Sequence, residues 1–340
     1  MIYAIIHLME IAKLQELLAG QPKYRQAQVN QALFHDLIDD WELATGLPKK
    51  LRQELNQACP LNIEAELSVS SDKLTNKALL RLSDGQLIET VLMRHEDGRN
   101  TVCVSCMVGC PMNCAFCATG TMGLSRNLTA EEIIIQVLFF ARLLKTSRER
   151  VGSVVFMGMG EPLLNYDNVM TAVRRLQSKD GFNIGARHIS ISTCGLLDGI
   201  KKLAQEDLPL NLAVSLHAPN DEVRRKIMPI ARTYAIKDLI QTVDEYIAQT
   251  KRKVMFEYLM ISGLNDLDEH ALELAKLIKN KLAFVNLIQY NPTGKFTPSS
   301  GKQMGRFRNI LEKNGITTTM RYKFGRDING ACGQLVIKKK

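Results

Sequence analysis

The chain has 340 residues, 46% of them hydrophobic, with 44 Lys and Arg against 35 Asp and Glu for a formal net charge of +9. That composition excludes collagen-like, fibrous and disordered classes, and the length fits one large globular domain with a smaller companion. No apolar run approaches the roughly 18 to 20 uncharged residues that a membrane span needs, and the opening MIYAIIHLMEIAKLQE has no basic leader region, so a soluble, cytoplasmic protein is expected. The basic balance is compatible with a polyanionic partner, nucleic acid being the commonest, but so modest an excess also suits an ordinary solvated surface.

Residues 1–62 read as a helical unit. Apolar residues recur at helical spacing through Ile11, Leu14, Leu17 and Leu18, again through Val29, Leu33 and Phe34, and near Leu51 to Leu55, with Pro48 where a helix would open. Over residues 63–98 the pattern changes to short alternating runs, AELSV, KALLRL and QLIETVLM, separated by Ser-Ser-Asp and Ser-Asp-Gly, which predicts a β-ribbon. From residue 99 to 340 strands and helices alternate. Buried-strand runs stand at TVCVSC, GSVVFM, HISIST, LNLAVSL, KVMFEYLM, AFVNLIQ and ITTTMRY. Helices are expected over 129–146, 167–179, 196–206, 236–250, 268–280 and 302–314. Six such βα units make a parallel sheet covered by helices and wrap most of the way round a barrel. Ligands of α/β folds sit at the carboxyl ends of strands, and here those ends run into CMVGCPMNCAFC, GMGEP, STCG, SLHAPN, SGLND and YNPTG.

Eight cysteines, Cys59, Cys103, Cys106, Cys110, Cys114, Cys117, Cys194 and Cys332, are distributed so that five fall between 103 and 117. In a chain this long, such clustering indicates a metal or redox site and not a disulfide framework. Cys110, Cys114 and Cys117 form a C-x3-C-x2-C loop that supplies three thiolates, with no histidine in the next twenty residues. Structural zinc takes four closed ligands, and Cys103 or Cys106 could complete them. An iron–sulfur cube can instead leave one iron open to a substrate.

The C-x3-C-x2-C loop resembles that of the radical S-adenosylmethionine enzymes. This resemblance implies a [4Fe-4S] cluster on Cys110, Cys114 and Cys117 whose open iron binds S-adenosylmethionine. It also implies an α/β fold: a partial (β/α)6 radical SAM barrel with a small N-terminal helical accessory domain and a β-ribbon linker. Gly158-Met159-Gly160-Glu161-Pro162 resembles the family's glycine-rich motif, so Gly160 and Glu161 are implied in binding the S-adenosylmethionine amino group. Ser192, Ser215, Leu216, His217 and Asn291 stand at successive strand ends as the rest of that shell. Taken singly, Ser192 and Ser215 suit plain turn chemistry and His217 a satisfied histidine at the core rim.

Longer stretches, VCVSCMVGCPMNCAFCATGTMGLSRNLTAEEI, FMGMGEPLLN, ISTCG, SLHAPND, VNLIQYNP and DINGACGQL, resemble the RlmN/Cfr family of RNA adenine methyltransferases over about residues 85 to 337. Two S-adenosylmethionine molecules per turnover are implied. Cys332 would take a methyl group from the first and, after a radical derived from the second has removed hydrogen from it, carry the carbon to the adenine. Cys103, seven residues before Cys110, would release the product by attacking the Cys332 sulfur. Glu89 matches the proposed acceptor of the ring proton, against the plainer reading of a solvated strand glutamate. Cys332 lies in a Gly/Asn/Asp-rich segment that suggests an exposed, mobile loop, and Asn329-Gly330 departs from the family's more usual Asp-Ala. Cys106 and Cys194 stand where the family has small residues and are expected to be passive, and Cys59 is expected in the core.

The partners implied are 23S rRNA, tRNA where the family's dual specificity is shared, and an external electron donor such as flavodoxin or ferredoxin, with a monomeric enzyme and no membrane. Tyr24, Arg25, Lys49, Lys50 and Arg52 are candidates for phosphate contacts. Methylation at carbon 2 is expected over the Cfr-type carbon 8, because Pro162 follows the motif glutamate where the Cfr group commonly has alanine. A zinc-stabilised RNA-binding protein without catalysis is the alternative from another class.

Overall fold

The computed structural model describes residues 11–321 and 324–337. The opening decapeptide, Tyr322, Lys323 and the terminal Lys338-Lys339-Lys340 lie outside the described residues. Helices α1 (Ile11–Ala19), α2 (Lys23–Asn30) and α3 (Lys49–Ala58) come first. Helix α3 opens directly after Pro48 and turns Leu51 and Leu55 inward. This unit closes over Trp41, which is fully buried and donates from Nε1 to the Cys59 carbonyl at 2.8 Å. Cys59 is likewise buried, as expected.

The three ribbon runs become β1 (Ala65–Val69), β2 (Thr75–Arg81) and β3 (Leu87–Arg94), paired antiparallel. The ribbon continues directly into the core sheet, because β3 pairs antiparallel with β4 (Asn100–Cys103), placing Val91 opposite Cys103. Next come β5 (Met107–Cys110) and β6 (Gly123–Asn127), a separate antiparallel pair, and then α4 (Ala130–Lys145). The alternation proceeds through β7 (Ser153–Phe156), α5 (Tyr166–Gln177), β8 (Ile189–Thr193), α6 (Leu197–Ala204) and β9 (Asn211–Ser215). It finishes with α7 (Asp221–Ile227), α8 (Ile236–Thr250), β10 (Val254–Met260), α9 (Asp268–Ile278), β11 (Ala283–Gln289), α10 (Gly301–Lys313) and β12 (Thr318–Met320).

All seven expected core strands are present, ordered β4-β7-β8-β9-β10-β11-β12 with parallel neighbours, and β1-β2-β3 extend the same sheet beyond β4. A parallel order in which each strand neighbours the next requires crossovers of one hand and puts every carboxyl end at one rim. Helix α4 begins with a capping box in which Thr129 and Glu132 each accept the other's backbone N–H, at 3.3 and 3.0 Å. Arg126 grips Glu132 with two bonds of 2.7 and 2.8 Å and reaches Asp84 in the ribbon turn at 2.7 Å. At the other end of α4, Arg142 donates to the Leu61 carbonyl at 2.7 Å and also to that of Ile38, and Lys145 donates to that of Asp36, so the N-terminal helices are fastened to the barrel. No helix among the described residues is long and apolar enough to cross a membrane.

Two elements were not expected. The cysteine loop leaves β5 and not the first barrel strand, because residues after Cys103 turn back to form the β5–β6 hairpin, with a register shift between Val108 and Gly109. Helix α7 is the other, and it packs against the same loop.

Candidate active site

The strand ends converge on an open-mouthed cavity with about 920 Å³ of empty space, the open solvent at its mouth included. Cys110, Cys114 and Cys117 line it together with Gly160, Glu161, Ser192, Ser215 and His217.

Each wall has a local cause. The β7 exit crosses the β4–β5 connection so closely that a Cβ on Gly158 would lie 2.7 Å from the Val104 carbonyl oxygen and the Ser105 hydroxyl. Gly160, at φ +107°, would place a Cβ 2.7 Å from Met107 and 2.9 Å from the Cys106 sulfur. Only glycine permits this approach, which packs Cys106 beneath the motif and away from the cavity lining. Pro162 opens the short turn Pro162–Leu164, and this turn holds Glu161, whose Oε1 accepts from the Leu163 N–H at 3.1 Å. Its Oε2 accepts from the Cys194 N–H at 2.8 Å, while burial raises its pKa. Both oxygens keep lone pairs available to a donor in the cavity.

His217 is buried at a positive φ of 57°. Burial, then the charge of Arg224, lowers its pKa to about 3, so the ring is neutral. Its Nδ1 accepts from the Leu259 N–H at 3.1 Å, which leaves the proton on Nε2 as the ring's donor. Phe116, between Cys114 and Cys117, meets this ring edge-on at 4.8 Å between centroids. Leu216 lies wholly in the core, outside the lining of the cavity, with its N–H donated to the Glu257 carbonyl at 3.1 Å.

The three thiols differ in setting. Cys110 and Cys114 are buried and Cys117 half-buried, and burial pushes the Cys110 thiol up to about 11 and the Cys114 thiol higher. Among the described residues no three His, Cys, Asp or Glu side chains converge as the ligands of a single ion would. Of the two cysteines considered as a fourth zinc ligand, Cys103 lines a second cavity and Cys106 lines neither, while Cys194 and Cys332 line the first beside the three thiols. Three all-sulfur donors spread round a cavity, with an open side facing carboxylate, hydroxyls and imidazole, fit an iron–sulfur cluster with one iron free of protein.

The comparisons with known proteins agree with this geometry. The sequence profile of the Radical SAM superfamily matches residues 104–276. A protein of Dictyoglomus thermophilum named "Probable dual-specificity RNA methyltransferase RlmN" is 45% identical over 93% of this chain and 91% of its own length. "Ribosomal RNA large subunit methyltransferase N" of Nitrosopumilus maritimus is also 45% identical, over 93% of each. The chain belongs to the RlmN family of the radical SAM superfamily. The crystal structure of a radical SAM methyltransferase from Sphaerobacter thermophilus superposes with a TM-score of 0.91 at 46% identity, covering 96% of this chain and 97% of that one.

Two of the other five cysteines share a cavity. Cys103 and Cys332 line a second cavity, which also includes Cys117, Asn291 and Arg321, and Cys332 lines both cavities. The segment around Cys332 is not the exposed loop that its composition suggests. The Ala118 N–H donates to the Gly333 carbonyl at 2.7 Å, the Thr119 hydroxyl to that of Leu335 at 2.6 Å, and Asn291 Nδ2 to that of Cys332 at 3.0 Å. Asn291 Oδ1 accepts from Arg326, so its side chain is engaged with the Cys332 segment.

Glu89 is also placed unexpectedly. It is buried, paired with Lys77 at 2.7 Å, and its Oε2 accepts from the Val336 N–H at 2.8 Å. This excludes the solvated strand glutamate, and neither cavity includes Glu89 in its lining. Arg321 is the residue that sequence reasoning missed. It lies 3.8 Å from Glu257, and the charges of Cys332, Glu257 and Cys103 raise its pKa. A lone basic residue after the last strand gives no local signal of that role.

Of the candidate phosphate contacts, Arg52 is tied to Glu42, while Arg25 stacks on Tyr24 and bonds to Gln28 and the Gly46 carbonyl. Tyr24, Lys49 and Lys50 are exposed.

Proposed function

We propose that this protein methylates carbon 2 of an adenosine in 23S rRNA, and an adenosine of tRNA, through an S-methylcysteine on Cys332. Cys110, Cys114 and Cys117 hold a [4Fe-4S] cluster, and Glu161, Ser192, Ser215 and His217 orient S-adenosylmethionine. When bound, these groups supply the methyl group from one S-adenosylmethionine and, by one-electron cleavage of a second with an electron from a flavodoxin- or ferredoxin-type donor, a radical that abstracts hydrogen. Cys332 receives the methyl group and presents its carbon to the adenine, which has left any base stack to enter the cavity. Addition to the ring leaves an unpaired electron, and loss of that electron to the one-electron redox partner together with the ring proton would give a protein–RNA thioether. Cys103 would then attack the Cys332 sulfur, forming a disulfide and breaking the sulfur–carbon bond, so that the base leaves with the electron pair and takes up a proton to complete its methyl group. Glu89, held by Lys77, is the residue proposed to take the ring proton once RNA and the Cys332 segment rearrange.

The observation that carries this reading is that Cys103 and Cys332, more than two hundred residues apart in sequence, line one cavity beside the three-cysteine loop. A metal site alone gives them no reason to meet. RlmN membership and Pro162 support carbon 2 over carbon 8. Mass spectrometry of adenosine isomers from RNA treated with the loaded enzyme is expected to give 2-methyladenosine, and 8-methyladenosine would overturn the regiochemistry. Cys332→Ala is expected to abolish methylation with iron content unchanged. Retained methylation in that variant would overturn the methyl-carrying role.

A further inference from the structure

Helix α7 carries a buried charge that forms no ion pair among the described residues. Arg224 is fully buried. Its Nη2 donates to the Cys194 carbonyl at 2.6 Å and its Nε to the Leu216 carbonyl at 3.3 Å, while Nη1 is buried with no hydrogen-bond partner. Both acceptors are neutral. Asp221, on the same helix, accepts from the Ile236 N–H at 2.9 Å and forms no ion pair with Arg224, its charge acting on the guanidinium less than those of Cys194 and Cys114, and Glu161 accepts from Cys194 and Leu163. An arginine stays protonated even when buried, and a buried charge is tolerated only where another charge compensates it.

The groups beside it identify that charge. Cys114 and Cys194 are the neighbours whose negative forms interact most with Arg224. The cysteine loop is also bound to this helix, because the Ala115 N–H donates to the Ile227 carbonyl at 2.8 Å, and Cys114, Ile227 and Met228 share one apolar cluster. We infer that Arg224 is the counter-charge of the cluster held by the cysteine loop and raises its reduction potential. This rests on Cys110, Cys114 and Cys117 being the cluster ligands. A cluster bound by three thiolates is a net anion, and reduction adds a further negative charge, so a fixed cation beside Cys114 favours the reduced form. Net charge and hydrogen bonding near the sulfurs are among the levers that set such potentials.

The test compares anaerobically reconstituted wild type, Arg224→Lys and Arg224→Gln, with iron counted first and the midpoint then read by dithionite titration followed in the visible and by electron paramagnetic resonance. At a fixed potential the Gln variant is expected to hold about tenfold less reduced cluster, a fall of about 59 mV for a one-electron couple. The Lys variant is expected to stay within about twofold of wild type, since it keeps the charge. An unchanged midpoint in a fully loaded Gln variant overturns the inference. Cluster-free proteins supply the second measurement, because an arginine that only props up the backbone would be missed there too. Cluster-free Arg224→Gln is expected to melt no lower than cluster-free wild type, and a variant that melts lower or fails to fold overturns the inference. A Gln variant that folds but loads less iron, with loading restored by Lys, supports it. Wild type that loads no iron at these cysteines defeats the cluster reading instead, which the iron count reveals before any potential is measured.

Discussion

Release of the product is predicted to depend steeply on pH, because the thiol assigned to it is held in its least reactive form. Cys103 sits at the end of β4, fully enclosed, and burial followed by the nearby Cys332 pushes its thiol from 9.0 up to about 12, with Arg321 pulling the other way. Three units correspond to about 4 kcal/mol against the thiolate. In the adduct Cys332 is a thioether without charge, so burial, the larger cause, is what keeps Cys103 mostly as the thiol, where an ordinary thiol is roughly one-tenth ionised at about pH 8. Since the thiolate is the attacking species, release should quicken about tenfold per pH unit, or about 100-fold between roughly pH 7.5 and 9.5. The assay accumulates the Cys332–RNA adduct by rapid mixing and follows its decay on denaturing gels across that range. Replacing Arg321 with Met removes the cation facing Cys103 and should slow release further at every pH, and Cys103→Ala should leave the adduct in place. A pH-independent decay, or one that levels off near pH 9, would refute the argument, because it would mean that the attacking thiol is not the buried one.

Two further outcomes concern the scaffold. The hydrogen bond from Arg126 holds the Asp84 carboxyl at about 2, below its ordinary 3.8. A depressed pKa contributes stability that is fully present above 3.8 and is lost as the pH falls towards 2. Asp84→Asn should therefore flatten the decline in melting temperature between about pH 5 and pH 2, and an unchanged slope would count against this pair. Gly158→Ala should destabilise by about 1–3 kcal/mol in urea unfolding and reduce iron loading, because its new Cβ meets backbone that cannot move aside. A variant that unfolds with wild-type stability would show that the β7 exit is not constrained as its contacts indicate.

The parallel core could be read from the sequence because each βα unit writes its own pattern. Runs such as KVMFEYLM are apolar on both faces, and Thr129 with Glu132 marks the start of α4 in four residues. Helix α7 has no such signature. Its seven residues, DEVRRKI, read as a charged surface turn, yet Arg224 among them is wholly interior. The β5–β6 pair was hidden for a similar reason, since strands of four and five residues that each include a glycine lack a measurable period. Glu89 and Cys332 failed differently. Both look solvated from their own neighbours, and both are enclosed by the same event, the return of the C-terminal segment, in which Val336 caps Glu89 across 247 residues and Thr119 holds Leu335 across 216. No local pattern encodes a contact at that distance, and only the family motif, which records its result, put Cys103 with Cys332. The same folding-in bears on the +9 charge. Arg224 is fully enclosed and Arg321 is largely so, both serving internal groups, and Arg52 is spent on Glu42. Folding also encloses the acids Glu89, Glu132, Glu161, Glu257 and Asp266, so the surface left for a polyanion is no less basic than composition suggests, and a net charge of this kind attracts a phosphate backbone without selecting a sequence.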